Sequence, residues 1–526
     1  MLVPGLALAG VAATVAAVAL AAVVVGQLRP VPGDRTAAGP AGREQPAGPA
    51  DRPGAIAAAP NPAPPVAEPP VLTPEPADAH PGLTRPDPLD QQYPLARDPA
   101  RAAALTAERR AWYAGQLDAD AARAHRAFAA VVKAATDAQV EVLAHPHGRP
   151  AERWDRQRAA VAAAVAAGCE DPAVVFAHKR AAGTGPDAAF LSRAAAGVIS
   201  GQYSPLGRLH AGYGEAADAY ALMPTKPVDA QLRHFWAAVA DLCRLRHRAA
   251  DEEVLGFCLK ALASGMFGPD AHARFRAVDA GLAAAGAGDW LRGVVDGVHQ
   301  VKWAWEARGG GAAGTVTEQG WRLFRDRLAA AEARLAAAHA LAPDRPQAAA
   351  EMVAVCMGQG RDRAAMEGWF AKAVAADPDD PWAYRQKLTY LMPKWHGSEA
   401  ELLAFARQCL RASTGDDRHN EYLYLAYREL AARARQADAP DVWSRPGVWA
   451  DLRAAYEPRL AAHPGDRLAR TQLFRACVLC GQPQAADRHR RRLAAGGWWE
   501  ADLPPAERRE LEQRLDAALG RQAPGR

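Results

Sequence analysis

Ala331-Glu-Ala-Arg-Leu-Ala-Ala-Ala-His-Ala-Leu-Ala-Pro343 and Met366-Glu-Gly-Trp-Phe-Ala-Lys-Ala-Val-Ala-Ala-Asp-Pro378 are two versions of one pattern. In each, three side chains at spacings of four and three line one face: Ala331, Leu335 and Ala338, then Met366, Phe370 and Ala373. Residues so spaced share one side of a helix. A proline follows and stops the helix, because its ring cannot continue the hydrogen-bond ladder. Each stretch therefore reads as the second helix of a pair. The two prolines stand 35 residues apart, a period at which stacked helix pairs repeat. The expected fold is all-α, with helical hairpins stacked as an α-solenoid.

Beyond this stretch, Leu452, Tyr456 and Arg459 before Pro464 make a third, weaker unit, in which Arg459 replaces the expected small residue. Trp449, Leu452, Tyr456 and Leu460 form an apolar stripe at helical spacing. Residues 467–480 and 483–495 make a further pair around Gly481, and Gly360 occupies a similar turn in the earlier unit. Towards the N-terminus, helices are expected near 100–145, 151–168, 171–182, 186–199, 229–247, 251–264, 270–284 and 288–307. They are separated by Gly183–Pro186, Pro224, Pro227 and Gly268-Pro269. Thr315 with Glu318, and Ser398 with Glu401, have the spacing of capping boxes.

Three segments carry a resemblance. They are Trp303-Ala-Trp-Glu-Ala-Arg-Gly309, Thr315-Val-Thr-Glu-Gln-Gly-Trp321-Arg-Leu-Phe324 and Tyr390-Leu-Met-Pro-Lys-Trp395-His-Gly-Ser398. In this order, within about 295–412, they resemble a bacterial family of unknown function that is similar to tetratricopeptide (TPR) repeats. Residues 330–395 and 448–495 look like TPR repeats more generally. The resemblance implies a helical fold and brings no catalytic residue with it.

Residues 5–25 are apolar or small and carry no charge, and the first charged side chain is Arg29. About twenty such residues span a bilayer core, and Met1–Pro4 lack the basic n-region of a secretory signal. A single-pass anchor is thus expected over 1–28, favoured over a cleaved signal. Arg29, Arg35, Arg43 and Arg52 all follow the segment, and the positive-inside rule then favours a cytoplasmic body. Residues 29–98, rich in Pro, Ala and Gly, read as a disordered tether. A helical region, with divergent repeats as one reading of it, is expected over 99–290, with TPR-like repeats over 291–520.

The chemistry-bearing patterns are sparse. A net charge of +4 over 526 residues gives no sign of nucleic-acid binding. The seven cysteines form no evident disulfide framework, and Cys477-Val-Leu-Cys480 reads as two small core residues on one face. Gly309–Thr315 lacks the lysine of a phosphate loop. His145-Pro-His147 and Asp377, Asp379 and Asp380 lack the companions of a metal site. The latter three read as an interhelical turn, with acids before a helix N-terminus. Arg488–Arg492 reads as a solvated basic face, and Trp303, Trp305, Trp321 and Trp395 read as packing anchors. No metal, cofactor or catalytic group is expected.

Those readings lead to one expectation: a membrane-tethered helical-repeat scaffold that binds protein or peptide partners. Glu351, Arg385 and Thr389, on first helices of the pairs, are the candidate contacts in its groove. The alternatives are a helical hydrolase or lyase with its site in 100–290, and a structural component of the cell envelope.

Overall fold

The computed structural model describes residues 88–121, 128–145, 151–182, 188–201, 203–222, 228–413, 419–496 and 503–521. Among them are 21 α-helices and no strand, so the all-α expectation holds. In the first half they are α1 (Pro88–Gln92), α2 (Pro99–Ala121), α3 (Ala129–Ala144), α4 (Ala151–Ala166), α5 (Pro172–Ala182), α6 (Ala188–Ser200), α7 (Pro205–Leu222), α8 (Asp229–Arg244), α9 (Arg248–Ala263) and α10 (Ala271–Ala284). There follow α11 (Asp289–Arg308), α12 (Glu318–Leu341), α13 (Pro346–Gln359), α14 (Arg363–Ala376), α15 (Pro381–Tyr390), α16 (Glu399–Arg411), α17 (Glu421–Gln436), α18 (Val448–Ala462), α19 (Arg467–Leu479), α20 (Pro483–Gly496) and α21 (Pro505–Ala518). From α2 to α21 each helix packs on the next along the chain.

The quoted stretches form α12 and α14, and their six face residues are almost completely buried. The turns after α12, α14 and α18 are alike. The N–H groups of Arg345, Asp380 and Asp466 donate to the carbonyls of Ala342, Asp377 and His463 at 3.2, 3.2 and 3.0 Å. Each turn thus spans four residues around Pro343, Pro378 or Pro464. Arg459, the odd residue of the third unit, is accommodated by a buried ion pair to Asp466 at 2.7 Å. That carboxylate also accepts from the N–H of Ala469 at the start of α19. The larger side chain is thereby folded onto the next helix's cap rather than into the packing seam.

Gly360 and Gly481 both have φ +66°, a left-handed conformation that costs other residues a steric clash. In both, the glycine N–H returns to the carbonyl three residues back, and the next N–H reaches the carbonyl five back. The pairs are Gly360–Met357 with Arg361–Cys356, and Gly481–Val478 with Gln482–Cys477. This is the Schellman closure of a helix end. First helices also stand beside first helices: α13 against α15, and α15 against α17. Polar pairs join them, Gln386 donating to Glu351 at 3.0 Å and Arg385 to Glu421 at 3.5 Å. Arg475 of α19 donates to the Tyr424 hydroxyl of α17 at 2.8 Å.

Two large apolar cores result. One runs from α7 to α13, the other from α13 to α21, and Trp305, Trp369 and Trp382 touch both. The first core crosses residues 290–291 without a break. The seven cysteines are all free thiols. Burial raises the pKa of Cys477, and that of Cys480 to about 12, which keeps both as protonated packing groups.

Several expectations are corrected. Among the described residues no helix is long and apolar enough to cross a membrane, which overturns the single-pass membrane localisation. The two longest helices show why: α12 carries Glu318, Arg322, Asp326, Glu332 and Arg334 through its length, and α2 is charged likewise. Residues 5–25, which prompted the expectation, lie outside the described residues, as do 29–87, His147 and the breaks at 183–186, 224 and 227. The cap of α12 is Thr317, whose hydroxyl accepts from Gly320 N–H at 3.0 Å. Thr315 instead donates to Ala312 O within a short 3₁₀ turn. Ser398 does cap α16, accepting from Glu401 N–H at 3.2 Å and donating to its carboxylate at 2.9 Å. Finally, α7 was not foreseen.

Candidate peptide-binding face

Residues 88–97 run across α14 and α16 as a strap. After the single turn of α1, the backbone leaves the helix at Tyr93. Tyr93, Leu95 and Arg97 are then half-buried, while Pro94, Ala96 and Asp98 are exposed. This alternation is that of an extended peptide with one side against a surface. Its end is bent by Arg97 N–H donating to Leu95 O at 2.6 Å.

Each inward position has its own partner. Asp90 accepts from Arg411 of α16. The Tyr93 ring lies under the Arg363 guanidinium, 4.3 Å from its centroid, within cation–π range. The Tyr93 carbonyl accepts from the Gln408 amide at 3.2 Å. Leu95 packs against the second core. Arg97 donates to Asp379 at 2.8 Å and to the carbonyl of Ala412 at 3.0 Å. The strap is thus gripped by side chain and main chain together, with its acidic end on an arginine and its basic end on an aspartate.

Beneath it lies a charged foundation. Arg363 pairs with Glu367 at 2.7 Å and with Glu401 at 2.8 Å. Lys387, only 1% exposed, reaches Glu367 at 2.8 Å from between the rings of Phe370 and Phe405. Burial lowers the Lys387 pKa, and Glu367 opposes that shift. A crevice lined by Leu89, Asp90, Tyr93, Arg363, Lys387 and Glu401 runs between strap and face.

The three residues expected to make partner contacts lie on the other side of α15 and on α13. Glu351 is 3% exposed and is spent on Gln386. Burial raises its pKa to about 8. It is a wall residue between first helices. Thr389 donates to the carbonyl of Arg385, one turn back in its own helix, at 2.8 Å. Arg385 reaches Glu421. Arg385 and Thr389, with Trp382, are half-buried along one edge of α15. Glu351 does not share that edge. The strap face was missed because its ligating positions are scattered over α14, α16 and the turns at Asp379 and Ala412, and over a segment with a linker's composition.

The segments that carry the TPR-like resemblance converge. Trp305, Trp321 and Trp395 surround the Arg308 guanidinium at 5.7, 5.4 and 5.8 Å. Arg308 in turn donates to the carbonyls of Gly309 and Gly311 at 3.0 and 3.1 Å, fixing the glycine-rich turn. His396 and Tyr390 bond the carbonyls of Met357 and Arg361 at 2.8 and 2.9 Å. The indoles therefore anchor α11, α12 and the loop after α15 around one half-buried cation. Trp303 stands apart, stacked on His272 at 4.6 Å and covered by Arg327.

In the first half, titratable side chains converge where α2 meets α7 and α9. The Tyr113 hydroxyl donates to Glu253, and His210 Nε2 lies 3.5 Å from the same carboxylate. Next to them Arg109 bridges Glu252 at 3.3 Å and Asp377 at 2.6 Å, tying the first half of the chain to the Pro378 turn. Burial works against the charge on Arg109, yet the two carboxylates hold its pKa above the ordinary value. In the basic cluster, Asp487 collects Arg490, Arg491 and Arg521. Among the described residues no group of three or more His, Cys, Asp or Glu is placed to hold a metal ion. No family model matches this chain, and no curated protein does.

Proposed function

We propose that the chain is a helical-repeat scaffold of TPR-like architecture that binds a protein or peptide partner through an extended segment. One observation carries this reading: residues 93–97 of the chain itself are held extended across α14 and α16, by alternate side chains and by a bond from the Gln408 amide to the Tyr93 carbonyl. A surface that grips an extended peptide in this manner has the chemistry of a peptide receptor. The repeated turns after α12, α14 and α18, and the polar links between first helices, support the stacked-hairpin architecture. The edge formed by Trp382, Arg385 and Thr389 is a second face on which the same partner can continue.

The enzymatic alternative is weaker on chemical grounds. Tyr113, His210 and Glu253 face one another across a helix junction that Arg109 clamps shut, which is the arrangement of an internal fastening. The test is peptide selection by display on the full chain with the strap weakened by Tyr93→Ala and Arg97→Ala. The same chain also carrying Arg363→Ala and Arg411→Ala serves for subtraction. Peptide families that require the two arginines support the reading. Recovery of no family that distinguishes the two proteins would count against it.

A further inference from the structure

The strap has a definite recognition pattern. An acidic residue at Asp90 meets Arg411, and an aromatic at Tyr93 lies under Arg363. An aliphatic side chain at Leu95 packs against the second core, and an arginine at Arg97 is shared between Asp379 and the Ala412 carbonyl. The opposite charges at the two ends fix the direction in which such a peptide lies. Pro94 and Ala96 are exposed, and Asp98 turns to α2, accepting from the N–H groups of Ala100 and Arg101 at 2.9 and 3.2 Å.

We propose that residues 88–97 are a resident ligand, and that the face they cover binds, after displacing them, a partner segment of the pattern acidic-x-x-aromatic-x-aliphatic-x-Arg. This rests on the peptide-receptor reading above and adds the partner's chemistry and its control. The argument is one of linkage. A tethered ligand competes at an effective concentration in the millimolar range for short linkers, so an outside peptide sees only the fraction of faces that are open. The strap's grip is mostly polar, and its ion pairs are largely buried, the Arg97 and Asp90 side chains being 4% and 11% exposed. A buried ion pair nets little once the desolvation of its charges is counted, so a better-matched segment that brings the same charges can exchange with it. The foundation under the strap is independent of it: Arg363 stays oriented by Glu367 and Glu401 whether or not Tyr93 is in place. The face is therefore preformed for a second occupant.

The experiment uses a fluorescent synthetic peptide with the sequence of residues 88–98 and its scrambled version. Each is titrated by polarisation against the full chain and against the full chain with Asp90→Ala, Tyr93→Ala and Arg97→Ala. We expect the native-order peptide to bind the strap variant at least about tenfold more tightly than the unaltered chain, consistent with an open fraction of one tenth or less. Adding Arg363→Ala and Arg411→Ala should abolish that binding. Equal affinity for both proteins, or for both peptides, would overturn the proposal. So would binding of other selected peptides to the arginine-bearing face without any binding of this one; the receptor reading would then survive alone.

A second measurement needs no variant of the strap. Excess peptide on the unaltered chain should speed amide exchange in residues 93–98 and leave α14 and α16 protected. Unchanged exchange at saturating peptide would also overturn the proposal. A unaltered chain that elutes as a dimer, and becomes a monomer on loss of the strap contacts, would assign the face to a second copy instead.

Discussion

Replacing Glu351 by glutamine should remove most of a pH dependence built into α13. The carboxyl group is 3% exposed, and burial raises its pKa from the ordinary 4.5 to about 8. The Gln386 amide at 3.0 Å opposes that rise. The Trp382 indole N–H opposes it too, although it makes no hydrogen bond of ordinary geometry. Between pH 4.5 and 8 the folded chain keeps a proton here that the unfolded chain has released. Stability therefore falls as pH rises through this window. The difference of 8 − 4.5 = 3.5 units, at about 1.4 kcal/mol each, makes the penalty roughly 5 kcal/mol above pH 8. Glutamine keeps the shape and an acceptor for Gln386, and has no charge to desolvate. Urea unfolding followed by tryptophan fluorescence, at pH 5 and pH 8.5, measures the effect. The two proteins should agree within about 1 kcal/mol at pH 5. At pH 8.5 Glu351→Gln should be more stable by several kcal/mol. An unchanged gap between them at the two pH values would refute a buried, protonated Glu351 and return it to the list of charged partner contacts.

Arg109→Met should destabilise the chain by about 3–5 kcal/mol, since it takes the guanidinium away from the buried Asp377 carboxylate and from Glu252. Adding Asp377→Asn should restore a good part of the loss, and denaturant midpoints of the single and double variants decide it. Gly360→Ala and Gly481→Ala should each cost about 1–2 kcal/mol, the price of a left-handed backbone at a residue with a Cβ. An effect near zero in chemical unfolding would contradict the Schellman turns. Thr317→Ala should cost about 1 kcal/mol through loss of the α12 cap. Thr315→Ala should cost clearly less in the same assay, and the reverse order would reinstate Thr315 as the cap.

The parts of the fold that were legible in the sequence are those set by local rules. Pro343, Pro378 and Pro464 mark helix ends because a proline acts on its own turn, and Gly360 and Gly481 mark turns because only φ demands them. Where two local signals competed, the sequence was ambiguous. Thr315 and Thr317 both precede acidic residues, and the choice fell to Thr317 because the preceding loop closes a 3₁₀ turn through Thr315. The helix α7 was hidden by Gly207, Gly212 and Gly214, which lower helix propensity. Tertiary packing overrides this at Gly212, where a Cβ would lie 2.8 Å from the backbone nitrogen of Phe235 on α8. The strap was hidden for a different reason. Its proline-rich surroundings have the composition of a tether, and its partners Asp379, Gln408 and Ala412 stand some 300 positions away. No local rule can join residues so far apart.

The candidate contacts Glu351, Arg385 and Thr389 are divided between a seam and an edge for a related reason. Repeat register turns first-helix residues such as Glu351, Arg385 and Thr389 towards a groove, and in the fold Glu351 and Arg385 bond to residues of neighbouring helices at a seam. It does not say whether the seam is open or closed, because that depends on the side chains opposite. Gln386 meets Glu351 and closes it, whereas Trp382 and Thr389 remain at an edge. On the strap side the balance runs the other way. Lys387 lies between Phe370 and Phe405, where a methionine would fill the same space without desolvating an ammonium group. Buried ion pairs are weak contributors to stability, so the pair with Glu367 is better understood by what it holds in place. Glu367 is shared with Arg363, and Arg363 is the residue that covers Tyr93. The chain thus keeps a buried charge where packing alone would omit it, directly beneath the surface that its own residues 93–97 cross.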